Sequence, residues 1–222
     1  MGAALALGGD LGRPQDGVRR LLLASTSPQR KAILEQLGIP FDVVVPSYRE
    51  DDFLPATHPQ TGSPPPGLTP SEAVCAHALG KARSVAALAE GRPVLGVDTA
   101  VVLDARIFGK PAGVAEARAM LSSLAGRCHE VVSGLALLAP GVQVVENEVT
   151  RVVFRPLGAA EIEAYVETGE WKGRAGAYAI QGRGASLVDR IDGDYLNVVG
   201  LPAALLVRVL ARHYPGDYGF GE

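Results

Sequence analysis

The stretch STSPQRKAIL, residues 25–34, places two serines and an arginine where an apolar run gives way to a helix. Ser27 is well placed to cap that helix, and Pro28 suits its first position because the amide there has no intrahelical acceptor. Capping does not explain Ser25, or Arg30 in the first turn, where a cation opposes the positive end of the helix dipole. A bound anion would resolve that conflict, so the stretch predicts a phosphate site with the serine hydroxyls as further donors. A capped helix without a ligand remains the alternative.

Charged residues also follow other apolar runs. The stretch GVDTAVVLDARIFGKP predicts Asp98 at or just past the end of a strand, with Lys110 twelve residues later. Glu50 lies in YREDD, the segment that follows the predicted strand 41–45, and Lys81 lies in a predicted helix. Ligands bind at strand ends in open α/β sheets, and these carboxylates, together with Arg30 and the lysines, suit a metal-bound polyphosphate. The alternative is that Asp98 forms a turn and Lys110 is simply solvated.

Alternating helices and strands must position these residues. Strands over 18–24 and 41–45 flank a helix from Pro28 to about Leu37, which predicts a parallel pair in an α/β sheet. The capping box from Thr69 to Glu72 begins a helix that runs to about Ala89. Further along, the patterns predict a strand and hairpin over 93–111, a helix over 114–125, two strands over 130–154 joined at Pro140-Gly141, and helices over 159–168 and 202–212. The sheet is therefore expected to be parallel early and antiparallel later.

One domain is predicted over residues 18–214. It carries a Pro-rich, exposed loop insertion at 53–70 and is flanked by a flexible, Gly-rich tail at 1–17 and a C-terminal tail at 215–222. The N-terminal stretch lacks the basic segment and the apolar length of a signal peptide. No apolar run reaches the roughly 18 residues that would span a bilayer, so no membrane association is expected.

The composition is that of an ordinary soluble protein, with 47% apolar and 20% charged residues. Twenty-one basic and 24 acidic residues give a net charge of −3, and the absence of a long basic run argues against nucleic-acid binding. Cys75 and Cys128 fit neither a CxxC metal site nor a disulfide framework. Both are predicted to be small buried residues in a reducing cytoplasm.

Glycines are dense between residues 167 and 202. They imply tight turns and a close approach of the backbone to another group. The GRG at 182–184 does not match a dinucleotide-binding fingerprint, because no GxGxxG follows a strand and begins a helix there.

Several blocks in order resemble the Maf family, nucleoside triphosphate pyrophosphatases that are also known from septum-formation proteins. The blocks are LLLASTSPQRKAILEQLGIPFDVVVP, HALGKA, GVDTAVVLDARIFGKP, HEVVSGLALL and GRAGAYAIQGRGASLVDRIDGDYLNVVGLP, and they span about residues 20–210. The resemblance implies a Maf/ITPase-like α/β fold, a mixed twisted sheet with helices in two lobes around a central cleft, and a homodimer. It implies hydrolysis between the α and β phosphates, giving the monophosphate and pyrophosphate, with a divalent cation such as Mg²⁺, Mn²⁺ or Co²⁺.

The resemblance also assigns residues. It matches Ser25 and Arg30 to the family's S-x-S-P-x-R phosphate loop, Glu50 to the acidic residue after the second strand, Lys81 to a helix lysine, Asp98 to the D-T aspartate, Lys110 to the G-K-P lysine and Gln181 to the glutamine of A-Y-x-I-Q-G. Arg30, Lys110 and Lys81 are then expected to bind phosphates, beside Ser27 and Gln29 in the loop. Asp98 is expected to hold the metal or to orient and deprotonate the attacking water. Glu50 is the other expected metal ligand, and Gln181 can read the edge of a base.

Gln29 departs from the family pattern, in which many members carry a second arginine here and another branch carries tryptophan. The D-T pair at 98–99 and the I-Q-G at 180–182 resemble the branch that acts on dTTP and UTP. Three alternatives stay open: the 7-methyl-GTP type of substrate, a nucleotide-binding regulator of septum formation with incidental hydrolysis, and a phosphatase for another metabolite.

Overall fold

The structure, a computed structural model, describes residues 19–48 and 68–221. In these two ranges the strands are β1 (Leu21–Ala24), β2 (Phe41–Val44), β3 (Val94–Leu103), β4 (Arg106–Phe108), β5 (Cys128–Ala139), β6 (Val142–Phe154) and β7 (Val188–Asp192). The helices are α1 (Pro28–Gln36), α2 (Pro70–Val85), α3 (Val114–Leu124), α4 (Ala159–Glu167), α5 (Tyr195–Val199) and α6 (Ala203–His213), with 3₁₀ turns at Ala86–Leu88, Ala175–Ala177 and Gly182–Leu187.

The strands form one mixed sheet in the order β2-β1-β3-β5-β6-β7, with β4 paired to β3 outside this path. The pairs β1–β2 and β1–β3 are parallel, whereas β3–β4, β3–β5, β5–β6 and β6–β7 are antiparallel. The predicted α/β class is therefore confirmed, including the change from parallel to antiparallel pairing along the chain.

Asp98 does not lie at the end of a strand, as the sequence predicted, but within the ten-residue strand β3. Strand β5 pairs with β3 across this point, with Asp98 opposite Gly134 and Thr99 opposite Ser133, so β3 continues through the polar pair. The strand that ends here is its neighbour β1, whose pairing with β3 involves only Leu22 and Leu23. The polar pair therefore lies just beyond the carboxyl end of β1, where the 25–27 turn begins.

The core has two main groups of side chains that share the long strands β3, β5 and β6. One group surrounds α3 and α4 and includes Val101, Leu121, Phe154 and Trp171. The other surrounds β1, α1 and α6 and includes Leu23, Leu34, Leu135 and Leu206. Each fully buried leucine or phenylalanine contributes about 1.5–3 kcal/mol of transfer free energy, so both groups stabilise the shared strands.

Helix α2 lies directly against the sheet because two strands carry glycine beneath it. A Cβ atom at Gly96 would overlap the carbonyl oxygen of Ala78, and one at Gly134 would overlap that of Val74. A larger residue at either place would force α2 away from β3 and β5. This close packing brings Lys81 of α2 within reach of Asp98.

The sequence analysis missed β7 and α5, both in the glycine-dense segment. Strand β7 has five residues and pairs with β6 across an irregular register, and α5 also has only five residues. Elements this short carry too few apolar positions to show a period. Asp194 begins α5 by accepting a hydrogen bond from the backbone N–H of Leu196 at 2.8 Å.

The prediction that both cysteines are buried is wrong. Cys128 is exposed and Cys75 is partly exposed. Cys128 is the first residue of β5, and strand alternation turns its neighbour His129 into the core instead, where it is 2% exposed.

The described part of the 215–222 segment packs against the domain. Tyr218 is buried, and Asp217 forms an ion pair with Arg19 at 2.8 Å. In the described ranges, no helix combines the length and the apolar character needed to cross a bilayer.

Candidate active site

A cleft of about 450 Å³ lies between the two core groups. We call its two sides the helix wall, formed by residues 24–30 with Lys81 and Asp98, and the loop wall, formed by residues 173–181 with Lys110. Most of the residues predicted to bind substrate line this cleft: Ser25, Ser27, Gln29, Arg30, Lys81, Lys110 and Gln181. Asp98 joins them through its contact with Lys81. Glu50, also predicted, lies outside the described residues.

The 25–30 turn orients the guanidinium of Arg30. Ser27 caps α1 and accepts a hydrogen bond from the backbone N–H of Arg30, as predicted. The hydroxyl of Ser25 accepts hydrogen bonds from the backbone N–H of Ser27 at 3.2 Å and from Nη1 of Arg30 at 3.1 Å. Arg30 also donates from Nε to the carbonyl oxygen of Gly200 at 3.0 Å and from Nη2 to Oγ1 of Thr99 at 3.3 Å. These three acceptors are neutral oxygens, and together they fix the orientation of the guanidinium.

Thr99 contributes to the site in a way that its motif alone did not show. Its hydroxyl lies 2.9 Å from that of Ser133, which is fully buried in β5. Thr99 thereby connects Arg30 to the rigid centre of the sheet. Because adjacent residues of a strand point to opposite faces, Thr99 faces Arg30 while Asp98 faces α2.

Lys81 and Asp98 form an ion pair at 2.5 Å, with side chains that are 12% and 15% exposed. Burial raises the pKa of the Asp98 carboxyl, but the charge and hydrogen bond of Lys81, together with the charges of Arg30 and His77, lower it by more. The net effect is a lowered pKa, so Asp98 is ionised at neutral pH. An ionised carboxylate here can ligate a cation or accept a hydrogen bond from water.

The loop wall adds two cations. The backbone N–H of Gly176 donates to the carbonyl oxygen of Gly109 at 3.1 Å and joins the segment of Arg174 to that of Lys110. Both residues line the cleft, and among the described residues neither has a carboxylate within ion-pair distance. The sequence analysis did not select Arg174. Its position in GRAGAY, beside the A-Y-x-I-Q-G block, was the available signal.

Behind the loop wall lies a buried neutral pair. The hydroxyl of Tyr178 is 2.9 Å from Nε2 of His129, and both residues pack edge-on against Phe154. Burial lowers the pKa of His129 to about 4 and raises that of Tyr178, so neither carries charge at neutral pH. Gln181, by contrast, is exposed at the mouth of the cleft.

The ionised carboxylate of Asp98 is an oxygen ligand of the kind that a divalent cation takes. No three His, Cys, Asp or Glu side chains of the described ranges meet as a metal site. Mg²⁺ is often held by one or two carboxylates together with the oxygens of substrate phosphates, and Asp98 offers one such carboxylate.

A mixed sheet with hydroxyls, cations and a carboxylate collected at a strand end and a helix N-terminus defines an α/β protein with an anion-binding cleft. The family model described as "Maf-like protein" matches residues 20–213, and the chain belongs to this family.

Curated relatives cover nearly the whole domain. A protein of Symbiobacterium thermophilum named dTTP/UTP pyrophosphatase is 46% identical over 199 residues, 89% of this chain and 96% of the relative. Proteins of the same name from Gloeobacter violaceus and Bacillus cytotoxicus are 46% and 43% identical, over 87% and 90% of this chain and 95% and 98% of their own lengths.

Proposed function

We propose that the chain is a nucleoside triphosphate pyrophosphatase that hydrolyses the α–β bond of dTTP and UTP to the monophosphate and pyrophosphate. The observation that carries the proposal is the convergence of Ser25, Arg30, Lys81, Lys110 and Gln181 on one cleft. The relatives named dTTP/UTP pyrophosphatase, at 43–46% identity, support this choice of substrates.

The triphosphate lies between the two walls. Arg30, Ser25 and Ser27 at the start of α1 face it from one side, and Lys110 and Arg174 face it from the other. A charge-assisted hydrogen bond to phosphate is about twice as strong as a neutral one, so these cations supply most of the affinity. Because Arg30 is held in place before substrate arrives, little ordering cost remains when the phosphates bind.

In the reaction, a water oxygen attacks the α phosphorus while the bond to the α–β bridging oxygen breaks. Pyrophosphate leaves with the bonding electrons, and the proton that the water loses passes to solvent. The lowered pKa of Asp98 makes it a weak base, so its main task is to orient the water by accepting one of its hydrogens in a hydrogen bond. The negative charge that gathers on pyrophosphate is stabilised by the cations of the loop wall.

A divalent cation, Mg²⁺, Mn²⁺ or Co²⁺, belongs to this proposal. Asp98 would hold it, with Glu50 as a second ligand, and when bound the ion supplies Lewis-acid neutralisation of phosphate charge. Lys81 restrains the Asp98 carboxylate from the other side and keeps it ionised.

For the base, Gln181 offers a donor and an acceptor at the cleft mouth, which suits the N3–H and the 4-carbonyl of uracil or thymine. Tyr178 lines the wall next to it. A homodimer and a cytoplasmic location also remain part of the proposal. Val43 and Val45 are exposed, on and just beyond β2, the outermost strand among the described residues, and they offer an apolar surface for a second copy.

The test is pyrophosphate release from dTTP, UTP, CTP, the purine triphosphates and 7-methyl-GTP, each with Mg²⁺ or Mn²⁺. We expect dTTP and UTP to be the best substrates. Orthophosphate release would indicate a phosphatase, and preference for 7-methyl-GTP would indicate the other branch. Tight nucleotide binding without turnover would indicate the regulatory alternative.

A further inference from the structure

Three hydrogen bonds hold the backbone on both sides of Gln181. Before it, the N–H of Ala179 donates to the hydroxyl oxygen of Tyr165 at 3.0 Å. After it, the N–H groups of Arg183 and Gly184 donate to Oε1 and Oε2 of Glu170, each at 3.0 Å. Tyr165 lies in α4 and Glu170 follows that helix by three residues, so α4 and the turn after it restrain both flanks of Gln181.

The hydrogen bonds that the Glu170 carboxylate accepts are of a strong kind. One carboxylate accepts from two consecutive amides at the start of the Gly182–Leu187 turn, and hydrogen bonds to an ionised acceptor are stronger than neutral ones. Gly182 permits this approach, because a Cβ atom there would lie 2.8 Å from Oε1 of Glu170, and its φ of +64° is in the left-handed region.

The side chain of Gln181 depends on this restraint for its direction. It is exposed, and in the described part of the chain its amide makes no hydrogen bond of its own. The fixed backbone therefore sets where the amide points. Without the carboxylate, two amides lose their acceptor and the 181–184 segment gains conformational freedom.

We propose that Glu170 is a positioning residue for base selectivity, which acts by holding the backbone that presents Gln181 to the nucleotide base. The inference rests on the proposed function, because it takes Gln181 as the group that reads the base. Glu170 is not among the residues that line the cleft, so its loss should affect discrimination between bases more than the chemical step.

The experiment compares E170A with the matched variant E161A. Glu161, near the start of α4, accepts a hydrogen bond from the N–H of Gly158 at 3.0 Å and pairs with Arg155 at 3.1 Å, so its loss also removes a carboxylate from a backbone amide. For each protein, kcat/KM is measured with UTP and ATP. The Kd is measured for analogues of both in which methylene replaces the α–β bridging oxygen. Thermal unfolding and circular dichroism report folding.

We expect the UTP-to-ATP ratio of E170A to fall about tenfold with kcat for UTP nearly unchanged, since one well-placed amide hydrogen bond is worth about that much. E161A should keep the wild-type ratio. E170Q, which retains one acceptor oxygen, should recover part of the selectivity. An unchanged ratio in folded E170A, or an equal fall in E161A, would overturn the inference.

Two further readouts keep the test decisive. If E170A does not fold, Y165F removes the acceptor on the other flank of Gln181 and should lower the same ratio, and an unchanged ratio in Y165F would count against the proposal. If the wild-type protein binds the UTP analogue selectively but releases no pyrophosphate from UTP itself, the proposed reaction fails. Loss of that binding selectivity in E170A would still support the role of Glu170.

Discussion

The two walls of the cleft are built on different physical principles. On the helix wall, charge dominates: Lys81 pairs with Asp98 at 2.5 Å, and Arg30 stands at the positive end of a helix, held by neutral oxygens. On the loop wall, neutral contacts such as that of His129 with Tyr178, together with fixed backbone, set the shape. Changes at Asp98 on the helix wall should therefore alter the rate, and loss of a loop-wall cation should weaken phosphate binding. Changes in the neutral contacts of the loop wall should alter stability and selectivity.

The largest effect is expected at Asp98. D98N keeps the shape but removes the negative charge that orients water and binds the cation, so kcat should fall by about 10²–10⁴-fold. Steady-state pyrophosphate release with saturating UTP and Mg²⁺ measures this effect. D104N, at an exposed carboxylate paired with Arg127 at 2.7 Å, is the control and should retain wild-type turnover. Near-normal turnover in folded D98N would remove Asp98 from the mechanism.

The next effect concerns stability at the loop wall. His129 has a folded-state pKa of about 4, below its ordinary 6.5, so the unfolded chain binds a proton more readily than the folded protein between these values. Stability is therefore lost as the pH falls from 6.5 towards 4, by about 3 kcal/mol for this residue.

H129Q removes this titration and retains a polar group near Tyr178, so urea unfolding should show a flatter pH dependence between pH 6.5 and 4. The wild-type slope should persist in H213Q, which changes a partly exposed histidine at the end of α6. Equal slopes in wild type and H129Q would mean that His129 is not held neutral in the folded state.

The difference between the walls also explains what the sequence could predict. Ser27 as the cap of α1, the Thr69–Glu72 capping box and the turn at Pro140-Gly141 are local patterns, and the structure has all three. The position of Asp98 within β3 was not predictable in this way, because it depends on where the neighbouring strand β1 ends.

The loop wall depends on contacts between distant residues. The backbone of Arg183 reaches a carboxylate thirteen positions earlier, and His129 meets Tyr178 across 49 positions. No local period encodes such contacts. The glycine-dense segment therefore indicated a close approach of the backbone to other groups, but not which residues carry those groups. Resemblance supplied Gln181, and only the structure brought Arg174 to the cleft.

A smaller effect is expected at Arg174. R174Q removes one cation that faces the phosphates, and a hydrogen bond to a charged group is worth about 1.5–3 kcal/mol, so KM for UTP should rise at least tenfold. The matched variant K172Q changes an exposed cation over the ring of Trp171 and should leave KM unchanged. If the two substitutions raise KM equally, Arg174 acts only through the net charge of the protein and not through a direct contact with phosphate. In that case, raising the salt concentration should remove both effects.

At Gln181, the expected change is one of preference. Q181E leaves only acceptors, which suit the amino group of cytosine better than the carbonyl of uracil. The ratio of kcat/KM for UTP to kcat/KM for CTP should fall about fivefold to tenfold. The kcat of Q181E with its preferred substrate should stay within about threefold of the wild-type kcat. Q143E, on the exposed face of β6, adds the same charge elsewhere. If the relative kcat/KM values for all the bases are the same in Q181E as in the wild type, Gln181 does not take part in base recognition.

The smallest effect is expected at Gln29, a neutral residue of the helix wall at a position where many family members carry arginine. Its amide oxygen lies 3.3 Å from the Ser27 hydroxyl, and the residue lines the cleft. Q29R adds a cation beside Arg30, so KM for UTP should fall about threefold at low salt, an advantage that 0.5 M salt should largely remove. Q36R adds the same charge at the other end of α1 and should leave KM unaltered. If Q29R and Q36R have the same KM, residue 29 points away from the phosphates. Arg30 and Lys81 are then the cations of the helix wall that act on the substrate.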